Sequence, residues 1–556
     1  MRRISMILAA ALLSAACTGE TGDDSPEAAA ACGSEIESGL SRWADAGFSG
    51  SIAIGGEEGF ACLASFGLAD MANGAPNTDA TVFAIGSVSK AFTAAAVLDL
   101  AASGALGLDD RAGDLLPGLG GPAAEATVEQ LLLHTGGLSG SHGTDHEPLD
   151  RDEAIAAVGG LESAFAPGTD YSYSNAGYTL LALIVDERSG TSYRDYMVEE
   201  ILTLPSGERL GGFWDGEPAP GGPRALGYEA DGLVAAATGD FDGPHWALEG
   251  NGDLAMSAAE LAAWTRALFA GEVIGAEAVE TLRGTVFEHG DGATELPGWV
   301  AVDAATYGVE VLMSAGGGGD TGHHAVAAWL PETGQALAVT SNTADITAEE
   351  LLKAIGPALA AGEAIPVPEG HAEVDPAELA AREGAYVLDS GGTLTITATG
   401  EGLEVAAEGA DAVAAMFTSA DHSPADVETH EAAVLALLEG ASEAGREELE
   451  AAEDEFGPVT GVEVAGTVVE ESELRTYVRF SGPEGTGLAW YALDGASVAG
   501  AWLGAEPPAF TLVPTGEGAY RQENLAGAGA GLRVVFDGDR MTVTGPGGTA
   551  EAVRRA

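Results

Sequence analysis

The spacing of hydrophobic residues in the first two thirds of the chain predicts a mixture of helices and strands. Apolar positions predict a helix at 35–47 and strands at 49–56 and 59–70. Helical patterns dominate the middle, at 91–104, 178–190 and 258–271, and strand patterns return at 306–313, 325–330 and 335–342 before a last helix at 348–360. Strands at both ends with helices between them predict one sheet assembled from both ends of this region, with a helical block inserted.

The remainder of the chain has a different pattern. Prolines and lost periodicity predict a linker at 363–378. Beyond it, alternating residues and turn signals predict a β-rich accessory domain at 379–556, which carries an α+β insertion with a helical stretch at 427–456. The expected fold class is therefore α/β (α+β), an antiparallel sheet flanked by helices with a helical insertion, followed by a C-terminal β-rich domain.

Composition adds a strong charge to this picture. The chain has 556 residues, 46% of them hydrophobic, which favours folded domains, and its 87 acidic against 22 basic side chains give a formal charge of −65. This acidity indicates solubility or salt adaptation first and cationic ligands second. A nucleic-acid partner is not expected, because binding to phosphates depends on basic side chains.

The N-terminal residues 1–17 are typical of an export signal, with two arginines before an apolar run that is too short to span a membrane. The run ends at Cys17 in a sequence similar to a lipoprotein signal, although Leu13 lies one place further from the cysteine than usual. Residues 18–33 then predict an acidic tether. We expect an exported protein of the cell envelope, anchored to a membrane if Cys17 is lipidated and otherwise periplasmic or secreted.

After removal of the signal, Cys32 and Cys62 are the remaining cysteines. An exported pair favours one disulfide between the first helix and the second strand, with two free thiols as the alternative.

The clearest chemical signal is a serine followed three residues later by a lysine. Lysine stands only at Lys90 and Lys353, and Lys90 follows Ser87 at the start of an apolar helix that Gly104 should end. A spacing of three places both side chains on one helix face. A partly desolvated lysine loses its proton more easily than in water, so it can activate a neighbouring serine hydroxyl.

Further sequence motifs follow the Ser87–Lys90 pair in a fixed order along the chain. The segment 66–117 is followed by "VEQLLLHTGGL" at 128–138, "PGTDYSYSNAGYTLL" at 167–181, "NGDLAMSAAELAAW" at 251–264 and "HHAVAAWLPETGQALAVTSN" at 323–342. Together they resemble the serine β-lactamase-related family, which includes class C β-lactamases, D-alanyl-D-alanine carboxypeptidases and β-lactamase-like esterases. The resemblance implies a β-lactamase/transpeptidase-like serine hydrolase domain at 34–362.

The resemblance also implies roles for individual residues. Ser87 is the expected nucleophile, and Lys90 and Tyr173 are the expected proton-transfer pair. Asn175 is the expected polar clamp on the lysine or the substrate, with a helix cap as its alternative. Backbone N–H groups of Ser87 and Gly319 should form the oxyanion hole.

The third family motif departs from the family pattern. Where the family carries a lysine or histidine, this chain has Gly316, followed by Gly317 and Gly318. The cation that attracts a substrate carboxylate is therefore missing, which disfavours β-lactams and D-Ala-D-Ala substrates and favours esters or amides without that carboxylate.

The histidines of the chain are not interpreted as catalytic or metal-binding residues. His323 and His324 are interpreted as an edge or surface pair, of which one at most reaches the site. The cluster His142, Asp145, His146 and Glu147 is interpreted as a solvated polar turn, and His134 as structural. We expect no metal and no cofactor.

The sequence thus predicts an exported serine hydrolase that forms an acyl-enzyme on Ser87 with a small-molecule or cell-envelope substrate. The alternative is a catalytically weak or inactive protein that binds an envelope ligand on the same fold, because Gly316 lacks the motif's basic side chain.

Overall fold

The computed structural model of the chain describes residues 32–555, apart from 57–58, 146, 230–231, 235–242, 290–292, 303, 318–320, 344–345, 369–371, 373, 400–401, 418–423, 441, 471–472, 484, 495–496, 517, 524–531 and 546–547. The signal, Cys17 and most of the tether lie outside these residues.

The first region mixes short and long elements. Its helices are α1 (Ser34–Asp45), α2 (Ser89–Ala102), α3 (Ala112–Leu115), α4 (Val128–Leu132), α5 (Arg151–Gly159), α6 (Asn175–Ser189), α7 (Tyr193–Tyr196), α8 (Ala258–Phe269), α9 (Ala276–Gly284), α10 (Ala304–Tyr307) and α11 (Ala348–Ala361). Its strands are β1 (Gly50–Gly56), β2 (Gly59–Phe66), β3 (Leu68–Asp70), β4 (Ala75–Pro76), β5 (Phe83–Ala84), β6 (Leu138–Ser139), β7 (Glu162–Ser163), β8 (Gly212–Phe213), β9 (Tyr228–Glu229), β10 (Gly232–Leu233), β11 (Leu254–Met256), β12 (Phe287–Glu288), β13 (Thr294–Leu296), β14 (Trp299–Val302), β15 (Val311–Ser314), β16 (His324–Leu330) and β17 (Gln335–Ser341).

One antiparallel sheet organises this region. Its eight strands run in the order β12-β13-β14-β15-β16-β17-β1-β2, so that β1 from the start of the region pairs with β17 from its end. Helices α1 and α11 pack in one apolar cluster with this sheet, whereas α2, α6 and α8 belong to a second, larger cluster. The predicted sheet built from both ends, with a helical block inserted, is confirmed.

Two predicted strand boundaries are wrong for the same physical reason. The strand predicted at 59–70 is divided into β2 and β3 at Gly67, which has a φ of 71°. The strand predicted at 306–313 begins only at Val311, because the short helix α10 occupies its start and Gly308 follows with a φ of 73°. Glycine adopts these left-handed conformations without steric cost, and they interrupt an extended chain.

A disulfide joins Cys32, just before α1, to Cys62 in β2. It links the first helix to the edge of the sheet, and it encloses β1 in the covalent loop.

The second region is rich in strands, as predicted. Its helices are α12 (Pro376–Ala380), α13 (Ala410–Met416), α14 (Pro424–Leu438) and α15 (Glu443–Phe456). Its strands are β18 (Gly384–Leu388), β19 (Thr393–Ala398), β20 (Leu403–Glu408), β21 (Gly461–Glu470), β22 (Glu473–Gly482), β23 (Gly485–Asp494), β24 (Ser497–Leu503), β25 (Ala509–Gly516), β26 (Ala519–Gln522), β27 (Arg533–Asp537), β28 (Arg540–Gly545) and β29 (Gly548–Arg554).

Eight of these strands form a closed barrel, β18-β19-β20-β25-β26-β27-β28-β29. Between β20 and β25 the chain leaves the barrel and forms α13, α14, α15 and a separate four-stranded sheet, β21-β22-β23-β24. This excursion corresponds to the α+β insertion expected from the sequence.

Two buried helices position the chemistry of the first region. Helix α2 is buried on nearly every side, as its apolar sequence predicts, and the left-handed Gly104 follows its end. Helix α6 packs on α2 and is buried from Ala176 to Val185. The residues just before and at the starts of these two helices therefore come together at one place.

Candidate active site

The serine and the lysine of the Ser-x-x-Lys element are hydrogen-bonded. Ser87 lies in the 3-10 turn Gly86–Val88 that leads into α2, and Lys90 is the second residue of the helix. The Lys90 Nζ donates to Ser87 Oγ at 2.9 Å and to the carbonyl oxygen of Asn251, also at 2.9 Å. Lys90 is only 1% exposed, so its amine is held at the hydroxyl with little contact with water.

Burial changes the acid–base behaviour of this amine. Desolvation lowers the pKa of Lys90 to about 7, against the opposing attraction of the Asp253 and Asp145 carboxylates. A substantial fraction of Lys90 is consequently neutral near pH 7, and a neutral amine can accept the Ser87 proton.

Tyr173 lies beside the same pair. Its ring centre is 4.8 Å from the Lys90 Nζ, and the nearby Ser87 side chain acts to lower the pKa of the phenol. The residue as a whole is 45% exposed, while desolvation at its hydroxyl end, assisted by the Glu295 charge, raises the pKa of Tyr173 to about 12. The phenol is thus protonated at neutral pH, so it is able to donate a proton.

Asn175 is not among the hydrogen-bond partners of Lys90 in the described residues. It is the exposed first residue of α6, and the cap of that helix is Ser174, whose Oγ accepts the N–H of Gly177. Within the described part of the chain, the acceptors of Lys90 are Ser87 and the Asn251 backbone. Asn251, which the sequence did not identify, thus holds the lysine, and a substrate clamp at Asn175 stays a prediction.

His134 supports the tyrosine. It has a φ of 56° and is the one non-glycine residue with a positive φ in the described ranges. Its ring centre lies 4.5 Å from that of Tyr173, and its Nδ1 accepts the N–H of Ser174 at 3.1 Å. Such strained backbone persists where the surroundings enforce it. His134, interpreted as structural from the sequence, therefore packs directly against a proposed catalytic ring.

A buried carboxyl completes this side of the site. Glu295 in β13 is 5% exposed, and its Oε1 lies 4.0 Å from His134 Nε2. Its Oε2 contacts His289 Nε2 at 3.2 Å and accepts the hydroxyl of Tyr171 at 3.4 Å. Burial raises the pKa of Glu295 to about 7, although the hydrogen bond to His289 opposes this. Sequence reasoning missed Glu295.

The glycine run follows β15 and approaches the nucleophile. A Cβ on Gly317 would lie 1.8 Å from the Ile85 carbonyl oxygen and 3.1 Å from the Ser87 nitrogen, so a side chain has no room there. Gly316 is exposed and carries no side chain, as the sequence implies. Gly318 and Gly319 lie outside the described residues, and the oxyanion role of Gly319 stays a prediction.

The other histidines correct two sequence interpretations. His323 is fully buried rather than at the surface, and its Nδ1 accepts the N–H of Ala84 at 2.9 Å. Burial lowers its pKa to about 3. His142 is also buried, with its ring nitrogen 3.3 Å from the Trp246 carbonyl, so it does not belong to a solvated turn. His146 lies outside the described residues.

Neither a metal site nor a membrane-spanning helix is found in the part of the chain that the structure describes. No group of three or more histidine, cysteine, aspartate or glutamate side chains has an arrangement that could hold a metal ion. None of the helices there is long and apolar enough to cross a membrane.

Comparison with known proteins places this geometry in a family. The model of the family described as Beta-lactamase matches residues 43–361. Penicillin-binding protein 4* of Bacillus subtilis (strain 168) is 35% identical over 151 residues, which are 26% of this chain and 33% of that protein. Esterase EstB of Burkholderia gladioli is 32% identical over 172 residues, 27% of this chain and 43% of the esterase. The chain thus matches less than half the length of either relative.

Solved structures agree on the fold. The octameric penicillin-binding protein homologue from Pyrococcus abyssi superposes with a TM-score of 0.54 at 18% identity, and the match covers 93% of this chain and 99% of that one. The family resemblance expected from the sequence and the β-lactamase/transpeptidase-like fold are both confirmed. The family model matches more than half of the residues of this chain, and the chain therefore belongs to the beta-lactamase family.

Proposed function

We propose that this protein is a serine hydrolase that forms an acyl-enzyme on Ser87 with ester or amide substrates. The observation that carries the proposal is the 2.9 Å hydrogen bond between Ser87 Oγ and the buried Lys90 Nζ. Membership in a family with esterase and penicillin-binding relatives supports the same reaction class.

The acylation step follows from the geometry. Neutral Lys90 accepts the proton of Ser87 as Oγ attacks the substrate carbonyl carbon, and the oxygen of that carbonyl becomes the oxyanion near the N–H of Ser87. Protonated Tyr173 donates its proton to the leaving oxygen or nitrogen as the carbonyl reforms, and Lys90 returns a proton to Tyr173. A water molecule then attacks the ester on Ser87, with the same groups acting in reverse, and releases the acid.

The substrate class is narrowed by Gly316. Without a basic side chain at this position, the described residues of the third motif offer no cation to a substrate carboxylate. We therefore favour a small-molecule or cell-envelope ester or amide without a carboxylate next to the scissile bond. Export, and a lipid anchor on Cys17, belong to the proposal and rest on the sequence.

The decisive experiment removes the nucleophile. Ser87→Ala should reduce turnover of an activated aryl ester to background, and it should abolish the mass increase that a fluorophosphonate or an ester adds to the intact protein. Ser41→Ala in α1 is the matched control, because it removes a serine hydroxyl that hydrogen-bonds within its own helix. Labelling of Ser87→Ala at the normal rate would exclude Ser87 as the nucleophile.

One observation favours a second function. Gly316 removes a group that assists catalysis in relatives of this fold, so the protein could instead hold an envelope ligand with little or no turnover. That alternative predicts no adduct on the wild-type protein with any ester, amide or penicillin, together with thermal stabilisation by envelope fragments.

A further inference from the structure

A carboxylate occupies the space that the missing side chain leaves at Gly316. A Cβ built on Gly316 would lie 2.6 Å from Glu349 Oε1 and 3.3 Å from Glu349 Cδ. Glu349 belongs to the first turn of α11 and is 34% exposed at its side chain, while Gly316 itself is exposed. The position where the family carries a cation therefore borders a partly exposed acid.

This acid is close to the reacting groups through the backbone. Gly317, the next residue along the chain, abuts the Ile85 carbonyl and the Ser87 nitrogen. Glu349 thus lies beside the backbone that forms the wall of the site next to the nucleophile.

The capping box of α11 uses Glu350 rather than Glu349. The capping box of α11 consists of Thr347 and Glu350: Thr347 Oγ1 accepts the N–H of Glu350, and Glu350 Oε2 accepts the N–H of Thr347. The charge of Lys353, one turn later, acts on the pKa of Glu350. The Glu349 carboxyl interacts with the backbone N–H groups of Glu349 itself and of Gly317 and with the Thr347 side chain, but its Oε2 is left without a hydrogen bond in the described residues.

Glu349 also lacks a positive partner in the described residues. Its Oε2 is buried and makes no hydrogen bond there, and the closest ring nitrogen, His324 Nδ1, is 3.9 Å away. Burial lowers the pKa of His324 to about 4, so that ring is neutral at neutral pH. A buried carboxylate oxygen without a partner is costly, and a ligand that supplies a positive charge removes the cost.

We propose that Glu349 binds a positively charged ammonium group of the substrate next to the scissile carbonyl, so that this site selects cationic esters or amides. The inference rests on the proposed hydrolase function and reverses the charge preference that a lysine at position 316 would give. The protein's charge of −65 acts in the same direction, because it attracts cations to any open cleft.

The test uses matched pairs of esters that differ only in charge. The first pair carries the charge on the acyl side, nitrophenyl 4-(trimethylammonio)butanoate against nitrophenyl 5,5-dimethylhexanoate. The second carries it on the leaving group, choline butanoate against 3,3-dimethylbutyl butanoate. Assays run at about pH 8, because burial raises the pKa of Glu349 to about 7 and the carboxylate must be ionised.

We expect the wild-type protein to prefer the cationic ester by about tenfold or more in kcat/KM in one of the two pairs. Glu349→Gln should reduce that ratio to about one. Glu332→Gln, which removes an exposed charge in the turn between β16 and β17, should retain the preference. Gly316→Lys should also remove it, because the new ammonium pairs with Glu349.

A binding measurement keeps the inference testable if no ester is hydrolysed. Tetramethylammonium should raise the thermal midpoint of the wild-type protein above that in sodium at equal ionic strength, and Glu349→Gln should lose this difference. Ester turnover without a charge preference, or a preference that survives in Glu349→Gln, would overturn the role of Glu349 and leave the hydrolase intact. Absence of Ser87-dependent turnover together with ammonium binding would instead refute the hydrolase alone.

Discussion

The identity of the general base is decided by two pKa values at the site. Burial lowers the pKa of Lys90 to about 7 and raises the pKa of Tyr173 to about 12. Gly316 has no side chain whose charge could stabilise a tyrosinate. The two pKa values therefore favour Lys90 as the general base and the Tyr173 phenol as the proton donor in the proposed mechanism.

This assignment predicts the pH dependence of acylation. Only neutral Lys90 can accept the serine proton, so kcat/KM for an activated ester should rise about tenfold for each pH unit below pH 7 and level off above it. Single-turnover measurements of nitrophenol release between pH 5 and 9 would follow this step. A profile that rises only toward pH 10 would contradict the assignment, because an unperturbed lysine titrates there.

Glu295 supplies the necessary control, since its pKa is also raised to about 7. Glu295→Gln removes that titration without removing the hydrogen-bond acceptor for Tyr171. The midpoint near pH 7 should persist in this variant if it belongs to Lys90.

The sequence revealed the site residues that are near one another in the chain. Ser87 and Lys90 are separated by one helical turn, and their contact follows from local geometry. Tyr173 was found through the family resemblance. Asn251 lies in the turn before β11 and Glu295 lies in β13, both far along the chain from Ser87, and a single sequence carries no signal for such long-range contacts.

At the scale of elements, the pattern of α2 was the most informative. Apolar residues on every side predict a buried helix, and residues Ser89–Leu100 are buried with the single exception of Asp99. The errors in the strands at Gly67 and Gly308 arose because hydrophobic patterns do not report the sign of φ at a glycine.

A buried ion pair fixes the segment that holds the lysine. Arg194 in α7 donates from Nε to both carboxylate oxygens of Glu249, at 3.0 and 3.1 Å, and both residues are buried. Glu249 lies two residues before Asn251, whose carbonyl oxygen accepts a hydrogen bond from the Lys90 Nζ. Arg194 also donates to the Asp215 carbonyl, so the pair joins several loops beneath the site.

Glu249→Gln should therefore destabilise the fold strongly. It leaves the Arg194 charge buried without its counter-ion, which costs about 3–5 kcal/mol of unfolding free energy. Urea denaturation of the purified variant measures this loss. Glu272→Gln is the control: its partner Arg266 is partly exposed, and a surface pair contributes about 1 kcal/mol or less. Equal losses of unfolding free energy in the two variants would show that the buried ion pair contributes no more to stability than the surface pair.

At the scale of the whole molecule, the family match ends where the β-rich region begins, since the family model covers residues 43–361. Alternating residues predicted strands in the second region, and strands are present. The alternating pattern did not predict a closed barrel with a separate inserted sheet. Alternation identifies which residues share a face of a sheet, but it does not identify which strands pair with each other.

The charge of −65 belongs to the whole chain and should make its stability depend on salt. Repulsion among like charges destabilises the compact state, and salt shortens the range of that repulsion to about 8 Å at 0.15 M. The thermal midpoint should therefore rise steeply as NaCl increases from low concentration to about 0.3 M, change little beyond it, and respond equally to KCl. Differential scanning calorimetry measures this curve. A midpoint that ignores salt, or that climbs in proportion to its concentration up to about 1 M, would show that screening of self-repulsion is not the dominant effect.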